Sequence, residues 1–311
     1  MSMERDHGGG LDAAIAQYGG NRSAWLDLST GINPVPYPIP DLPGDAWTAL
    51  PDKAAFARLY ALARRFWQVP DEAAMIGATG ASAIIAALPH ALPKGGVCIP
   101  GPTYNEHGAA FHAAGWALGQ DPGDVVVAVH PNNPDGRIWT TEALGADVTI
   151  IDESFCDTVP EASLIALAAR PGTVVLKSFG KFWGMAGLRL GFAIGDPAVI
   201  ANLTDLLGPW QISGPALAIG AEALADPLWA DETRDRLRAD ADKLDQLLTG
   251  KGAELIGGTT LFRLYRVQDA AAAQKQLARN HVWSRVFPYA SDWLRLGLPP
   301  PGRWGQLQDA L

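Results

Sequence analysis

A chain of 311 residues, 48% hydrophobic and 18% charged, has the make-up of an ordinary globular protein. It is long enough for one large core, or a large one and a smaller one. A net charge of −9 argues against nucleic acid or an anionic membrane as the main partner. It leaves the sign of a substrate open, because a local pair of arginines can hold an anion inside an acidic protein.

From the N-terminus, MSMERDHGGGLD has no apolar run of signal-peptide length. A short helix is predicted over Leu11–Tyr18, and the proline-rich stretch Trp25–Pro43 reads as extended chain laid over something else. Apolar residues at Phe56, Leu59, Tyr60, Leu62 and Ala63 recur at helical spacing. An alternation follows. Ile76–Gly80 leads into a helix at Ala81–Ala91, Gly96–Ile99 reads as a strand and Asn105–Ala114 as a helix. Val125–Val129, Val148–Ile151 and Thr173–Lys177 read as strands, with a helix at Ser163–Arg170. Short, nearly continuous apolar strands separated by helices predict a mostly parallel sheet covered on both faces, with the loops after the strands along one edge.

The longest apolar helical run, Ala83–Leu92, is interrupted by Pro89 and too short to span a bilayer. Cys98 and Cys156 lie beside apolar runs and read as buried thiols of a reducing compartment, so a cytoplasmic protein without membrane attachment is expected. After Asp196 the pattern changes to helices at Pro215–Leu224, Asp231–Leu248 and Ala270–Arg279. Strands are predicted at Leu261–Tyr265, Val282–Phe287 and Trp293–Leu296, as in a smaller α+β unit. The expected division is an arm over residues 1–45 joining the small domain, a large domain over 46–205, and the small domain over 206–311.

The chemistry concentrates in Ser178–Gly191, SFGKFWGMAGLRLG, a glycine-rich loop between two apolar strands. A lysine held in such a loop and partly desolvated loses its proton readily and attacks carbonyls. Ser178 and Arg189 are groups suited to a phosphate. A nucleophilic lysine beside a phosphate site matches pyridoxal phosphate (PLP), an aldehyde that carries a phosphate. If Lys181 is at the sheet edge, neighbouring strand ends should also be polar. They are: HPNNPDG follows Val129 and DESF follows Ile151. Asp152 at the end of an apolar strand needs a partner, and a protonated pyridine nitrogen would serve. An Asx turn or helix cap is the plainer alternative. GATGAS, Gly77–Ser82, opens a helix with N–H groups suited to an anion, which by itself fits a nucleotide as well.

The lysine loop resembles the signature of the class I/II aminotransferase-like PLP enzymes of fold type I. The resemblance implies a large domain with a mostly parallel sheet sandwiched by helices and a smaller α+β domain. It gives Lys181 the cofactor's aldehyde, and Ser178 and Arg189 its phosphate. NNPDG is similar to the family's NPTG, which assigns Asn133 to the cofactor's 3′-oxygen. DESF is similar to DEAY or DEAF, which assigns Asp152 to the ring nitrogen and puts Phe155 where a tyrosine is common. PTYNEH resembles the segment whose aromatic residue stacks on the cofactor, hence Tyr104, with His107 one turn on as a donor to Asp152. GATGAS resembles the phosphate cup, hence Thr79, Gly80 and Ala81. WLRLGLP resembles the strand whose arginine takes the substrate carboxylate, hence Arg295, although a solvated outer strand face has the same alternation. Leu50 stands where relatives carry a tyrosine that reaches the neighbouring subunit.

HGGG, DLSTGINP and GPWQISGPALAIG resemble the branch that decarboxylates L-threonine O-3-phosphate in cobalamin biosynthesis. This implies a small phosphorylated amino acid as substrate, no metal, and a homodimer. Arg285, His7 and Asn33 are the candidates for the substrate phosphate. Transamination of a histidinol-phosphate-like substrate, or a PLP-binding module without turnover, are the alternatives.

Overall fold

The computed structural model describes residues 7–119 and 123–311. They form two compact units. The first holds residues 36–133 and 138–231; the second holds the described residues up to Val35, residues 134–137, and Glu232–Leu311. This differs from the expected division: residues 206–231 belong with the large unit. The reason is the helix Gly214–Leu224, apolar on nearly all sides, which buries Leu217, Ala221 and Leu224. It lies against the helix Lys53–Trp67, where a Cβ on Gly220 would come 3.1 Å from Leu59 Cδ1 and 2.5 Å from Leu190 Cδ2. Hydrogen at that position is what lets the two helices approach. Residues 36–45 likewise belong to the first unit.

The first unit is built on a seven-stranded sheet. Its spatial order is Ala74–Ala78, Gly191–Gly195, Thr173–Ser178, Val148–Asp152, Val125–Val129, Gly96–Cys98 and Ala117–Gly119. Every neighbouring pair is parallel except those of Gly191–Gly195, which runs antiparallel to both its neighbours. The central strands are buried on both faces, as VVVAV and TVVLKS demand. Ile84, Leu88, Phe111 and Leu203 from three helices pack with Val127, Ile150, Val174 and Leu176 in one core. Each fully buried Val or Leu there contributes about 1.5–3 kcal/mol. The other side carries an aromatic cluster, in which the Trp183 ring stacks on Phe179 at 5.2 Å and on Trp229 at 5.3 Å.

Local chemistry sets the helix starts. Asp52, Asp196 and Ser213 accept from backbone N–H groups of the turns they open. Pro89 sits inside the last turn of Ala81–Ala91 and does not interrupt it. The helix expected at Ser163–Arg170 is instead a short 3₁₀ segment, Ile165–Ala169. The helix Pro197–Leu207 and the edge strand Ala117–Gly119 have no counterpart in the sequence reading. Cys98 and Cys156 are both buried thiols. Among the described residues no helix is long and apolar enough to cross a membrane.

The second unit has a four-stranded antiparallel sheet, ordered Arg285–Phe287, Ala290–Gly297, Phe262–Arg266 and Glu254–Thr259. Glu254–Thr259 carries Gly257 and Gly258 and too few apolar residues to announce a strand. The arm's Leu26–Asp27 pairs in parallel with Val282–Trp283, and Gly297 N–H donates to the Leu28 carbonyl at 2.7 Å.

Candidate active site

In a parallel sheet the strand C-termini meet at one edge, and the first unit puts its polar loops there. Tyr104, Asn133, Asp152, Phe155, Ser178, Lys181 and Arg189 line one pocket with Ala81 and Ser82 of a helix start. Of the residues expected around it, Thr79 and Gly80 fall outside the lining. The Thr79 hydroxyl donates to the Gln211 carbonyl at 2.8 Å. Gly80 is required for its shape: its φ is +80°, and a Cβ there would fall 2.4 Å from Arg189 Nη2.

Asp152 ends its strand 2% exposed. One carboxylate oxygen lies 2.8 Å from His107 Nε2; the other accepts from the Ser154 N–H at 3.0 Å and hydroxyl at 2.6 Å. Burial pushes its pKa up, but the His107 hydrogen bond and charge and the Ser154 donors outweigh that and hold it below the ordinary value. Asp152 therefore closes an Asx turn and lines the pocket at once; the two readings of the sequence are compatible. Tyr104 sits at the start of the helix carrying His107, its ring 6.0 Å from the imidazole at 84°.

Lys181 Nζ lies 5.3 Å from the centre of the Phe155 ring. Its loop is closed by backbone bonds from Gly184 N–H to the Lys181 carbonyl and from Met185 N–H to that of Phe179. The same loop supplies Arg189, which takes φ +57° and donates to the Ala186 carbonyl at 3.0 Å. A non-glycine residue in this left-handed region costs energy and recurs where a side chain must be aimed.

In the second unit, Arg295 is 5% exposed and faces Arg285 across the strand ladder. It donates to the Ser29 carbonyl at 2.7 Å and lies 5.0 Å from the Phe262 ring centre. Burial, then the Arg285 charge, push its pKa down to about 10. Arg285 donates to the His7 carbonyl, so these three residues share one neighbourhood. Asn33 is buried, and its side-chain oxygen accepts from Arg236 at 2.8 Å and from Val35 N–H at 3.0 Å.

Sequence reasoning missed a second polar cluster in the first unit. Glu153, Lys177 and Asp157 are all buried, with Lys177 Nζ 2.6 Å from Glu153 and 3.6 Å from Asp157. Burial would lower the lysine's pKa, but the two carboxylates raise it above the ordinary value. A lysine in the apolar run TVVLK, which cannot be buried without an acid partner, was the available signal. His130, Glu153 and Cys156 bring potential metal-ligand atoms within 4.8 Å of one another. Protein groups already hold them. The Lys177 ammonium neutralises Glu153, and the two nitrogens of His130 contact Trp139 N–H and the Ala162 carbonyl at 3.1 and 2.7 Å.

The sequence profile of the family "Aminotransferase class I and II" matches residues 116–310. A threonine-phosphate decarboxylase of Sinorhizobium sp is 37% identical over 100% of this chain and 98% of its own length. Another, from Pseudomonas aeruginosa, is 37% identical over 98% and 97%. The histidinol-phosphate aminotransferase of Sinorhizobium meliloti, solved in complex with pyridoxal-5′-phosphate, superposes with a TM-score of 0.83 at 17% identity, covering 96% of this chain and 93% of its own. With a profile match over more than half its length and whole-length relatives at this identity, the chain belongs to the class I and II aminotransferase family.

Proposed function

We propose that this protein is a PLP-dependent lyase that removes CO₂ from L-threonine O-3-phosphate and leaves (R)-1-amino-2-propanol phosphate. The observation that carries the reading is Asp152, a buried carboxylate kept charged on the wall of the pocket that holds Lys181. The two decarboxylase relatives, alike along their whole length, point to the substrate.

The residues present fit the cofactor. A charged carboxylate in the pocket suits a protonated ring nitrogen. Gly80 leaves open the space a Cβ would take from the Arg189 guanidinium at a helix start, which suits a phosphate. When bound, PLP supplies a cationic ring that accepts the electron pair released when a bond at the substrate α-carbon breaks. Asp152 holds the proton on the ring nitrogen, and His107 and Ser154 keep the carboxylate aimed and charged. Ser178 and Arg189, with the N–H groups of Ala81 and Ser82, would hold the phosphate, Asn133 would bond the ring oxygen, and Tyr104 would lie against the ring. Phe155 gives Lys181 an apolar neighbour and removes a hydroxyl that would bond the same ring oxygen. Lys181 Nζ would hold the cofactor's aldehyde and would be the group placed to give the α-carbon a proton when CO₂ departs.

Threonine phosphate carries two anionic groups. Arg295 takes the carboxylate and Arg285 the phosphate, with His7 beside it. Asn33, whose oxygen is held by Arg236 and the Val35 N–H, is assigned toward the substrate on the resemblance alone. The protein acts as a homodimer in the cytoplasm. Ile39, Trp47 and Leu50, 72, 70 and 67% exposed along one segment, supply apolar area for a second copy, and the two buried thiols suit a reducing compartment.

Purified protein with PLP should form one CO₂ per amine phosphate and need no 2-oxo acid. Dependence on 2-oxoglutarate, with glutamate as co-product, would make it an aminotransferase instead. Borohydride should label Lys181, and Lys181→Ala should lose the label and the visible absorption band.

A further inference from the structure

We propose that the buried cluster of Lys177, Glu153 and Asp157 positions Lys181 and Asp152 from behind the sheet. Consecutive residues of a strand point to opposite faces, and both site strands use this at their C-terminal ends. Asp152 and Ser178 line the pocket, while their chain neighbours Glu153 and Lys177 meet on the reverse side at 2.6 Å. The Glu153 N–H donates to the Leu176 carbonyl at 3.0 Å, so the ion pair and the ladder tie the two strand ends together. Glu153 is further fixed by the Ser163 hydroxyl at 2.7 Å and by the Leu164 N–H.

Asp157 extends the tie to the lysine loop. Its two oxygens accept from the indole N–H groups of Trp67 at 2.9 Å and Trp183 at 3.1 Å. Trp183 lies two residues after Lys181, is fully buried, and its carbonyl accepts from the Tyr37 N–H. One carboxylate thus holds the helix residue Trp67 and the lysine loop, and through Lys177 it meets the strand pair carrying Asp152.

A buried ion pair is a poor source of stability compared with apolar packing, whereas loss of one partner disrupts its surroundings. What this cluster does supply is a fixed separation between the acid of the site and its nucleophile, across a gap where misplacement by an ångström costs about a hundredfold in rate. None of the three residues lines the pocket, so they are positioning residues.

The inference rests on the PLP reading, and the test separates the two. Wild-type protein without a visible PLP band would overturn that reading. With the band present, Asp157→Asn and Trp183→Phe are compared with wild type by visible circular dichroism of the PLP-loaded protein, by kcat and KM, and by far-ultraviolet circular dichroism. Asp157→Asn keeps the shape but can accept from only one indole; Trp183→Phe keeps a ring and removes one donor. The expected result is a weakened or altered visible dichroism and kcat down about tenfold, with KM within about threefold and the far-ultraviolet spectrum unchanged. Folded variants with wild-type visible dichroism and kcat overturn the proposal. If Asp157→Asn does not fold, Trp183→Phe decides by the same readings.

Discussion

Asp152 in the first unit and Arg295 in the second are both nearly fully buried charges, and their surroundings treat them in opposite ways. Asp152 is ringed by donors, with His107 on one oxygen and Ser154 on the other. Arg295 lies against aromatic rings and a backbone carbonyl, with a second cation, Arg285, across the ladder. The anion is compensated inside the protein, and its pKa lies below the ordinary value. Burial, and then the Arg285 charge, push the pKa of the cation down to about 10. A buried charge costs several kcal/mol unless compensated. Asp152 is thus held by donors that favour its charge, whereas burial and a like charge both weigh against the Arg295 cation. The contrast matches the roles proposed for them, one to keep a cofactor in one protonation state and the other to recognise a substrate.

Asp152→Asn should give the largest effect on turnover. Truncating one partner of a buried charge pair costs about 2–5 kcal/mol, and full burial places this residue near the upper end, roughly 10³-fold in kcat. The fold should survive, because the amide still accepts from Ser154. Near-normal turnover would remove Asp152 from the mechanism.

Arg285→Ala should follow, at about 10²-fold in kcat/KM for threonine phosphate, since Arg285 is less buried and less of its charge is desolvated. Unphosphorylated threonine should lose less than about threefold. Arg295→Ala should harm both substrates alike. Equal losses on both substrates for Arg285→Ala would place the phosphate elsewhere.

His107→Phe probes how the anion is settled, through acid stability. With its folded pKa below the ordinary value, Asp152 favours the folded state above the usual carboxylate range, and that contribution is lost as pH falls through the folded pKa. Without His107, burial wins and the folded pKa rises. Acid unfolding, followed by circular dichroism, should then begin about 0.5–1 pH unit higher than in wild type. An unchanged acid limb would mean Ser154 alone suffices.

The smallest effect concerns stability at the buried cation. Arg295→Met replaces a buried charge beside a like charge with an apolar side chain, so the melting temperature should stay level or rise by a few degrees. A fall of more than about 5 °C would show that the bond to the Ser29 carbonyl, not the like-charge pairing, governs this position.

The pocket was legible in the sequence to the extent that strand ends are. An apolar run followed at once by Asp152 or by Ser178–Lys181 marks both the element and the edge it reaches, and the structure gathers these residues with Tyr104, Asn133 and Arg189. What stayed hidden depends on partners far apart in sequence. Asn33 is held by Arg236, some two hundred residues on, and the Thr79 hydroxyl by the Gln211 carbonyl. Neither neighbour is implied by local pattern. The unit boundary was obscured for a related reason. The helix Gly214–Leu224 is apolar on nearly every side, so its sequence says that it is buried without saying against what.

The single antiparallel strand of the large sheet has a further consequence. Because Gly191–Gly195 runs back beside Thr173–Ser178, the segment between them leaves and re-enters the sheet at the same edge. Lys181 and Arg189 are delivered by one short connection and need no crossover helix. Had both strands been parallel, the two residues would have sat on separate loops, each free to lengthen during divergence. Here an insertion between them would change the spacing of the amine and the guanidinium directly, within the one connection that carries both. The pair is therefore delivered by one unit of chain, separate from the loops after Val129 and Asp152.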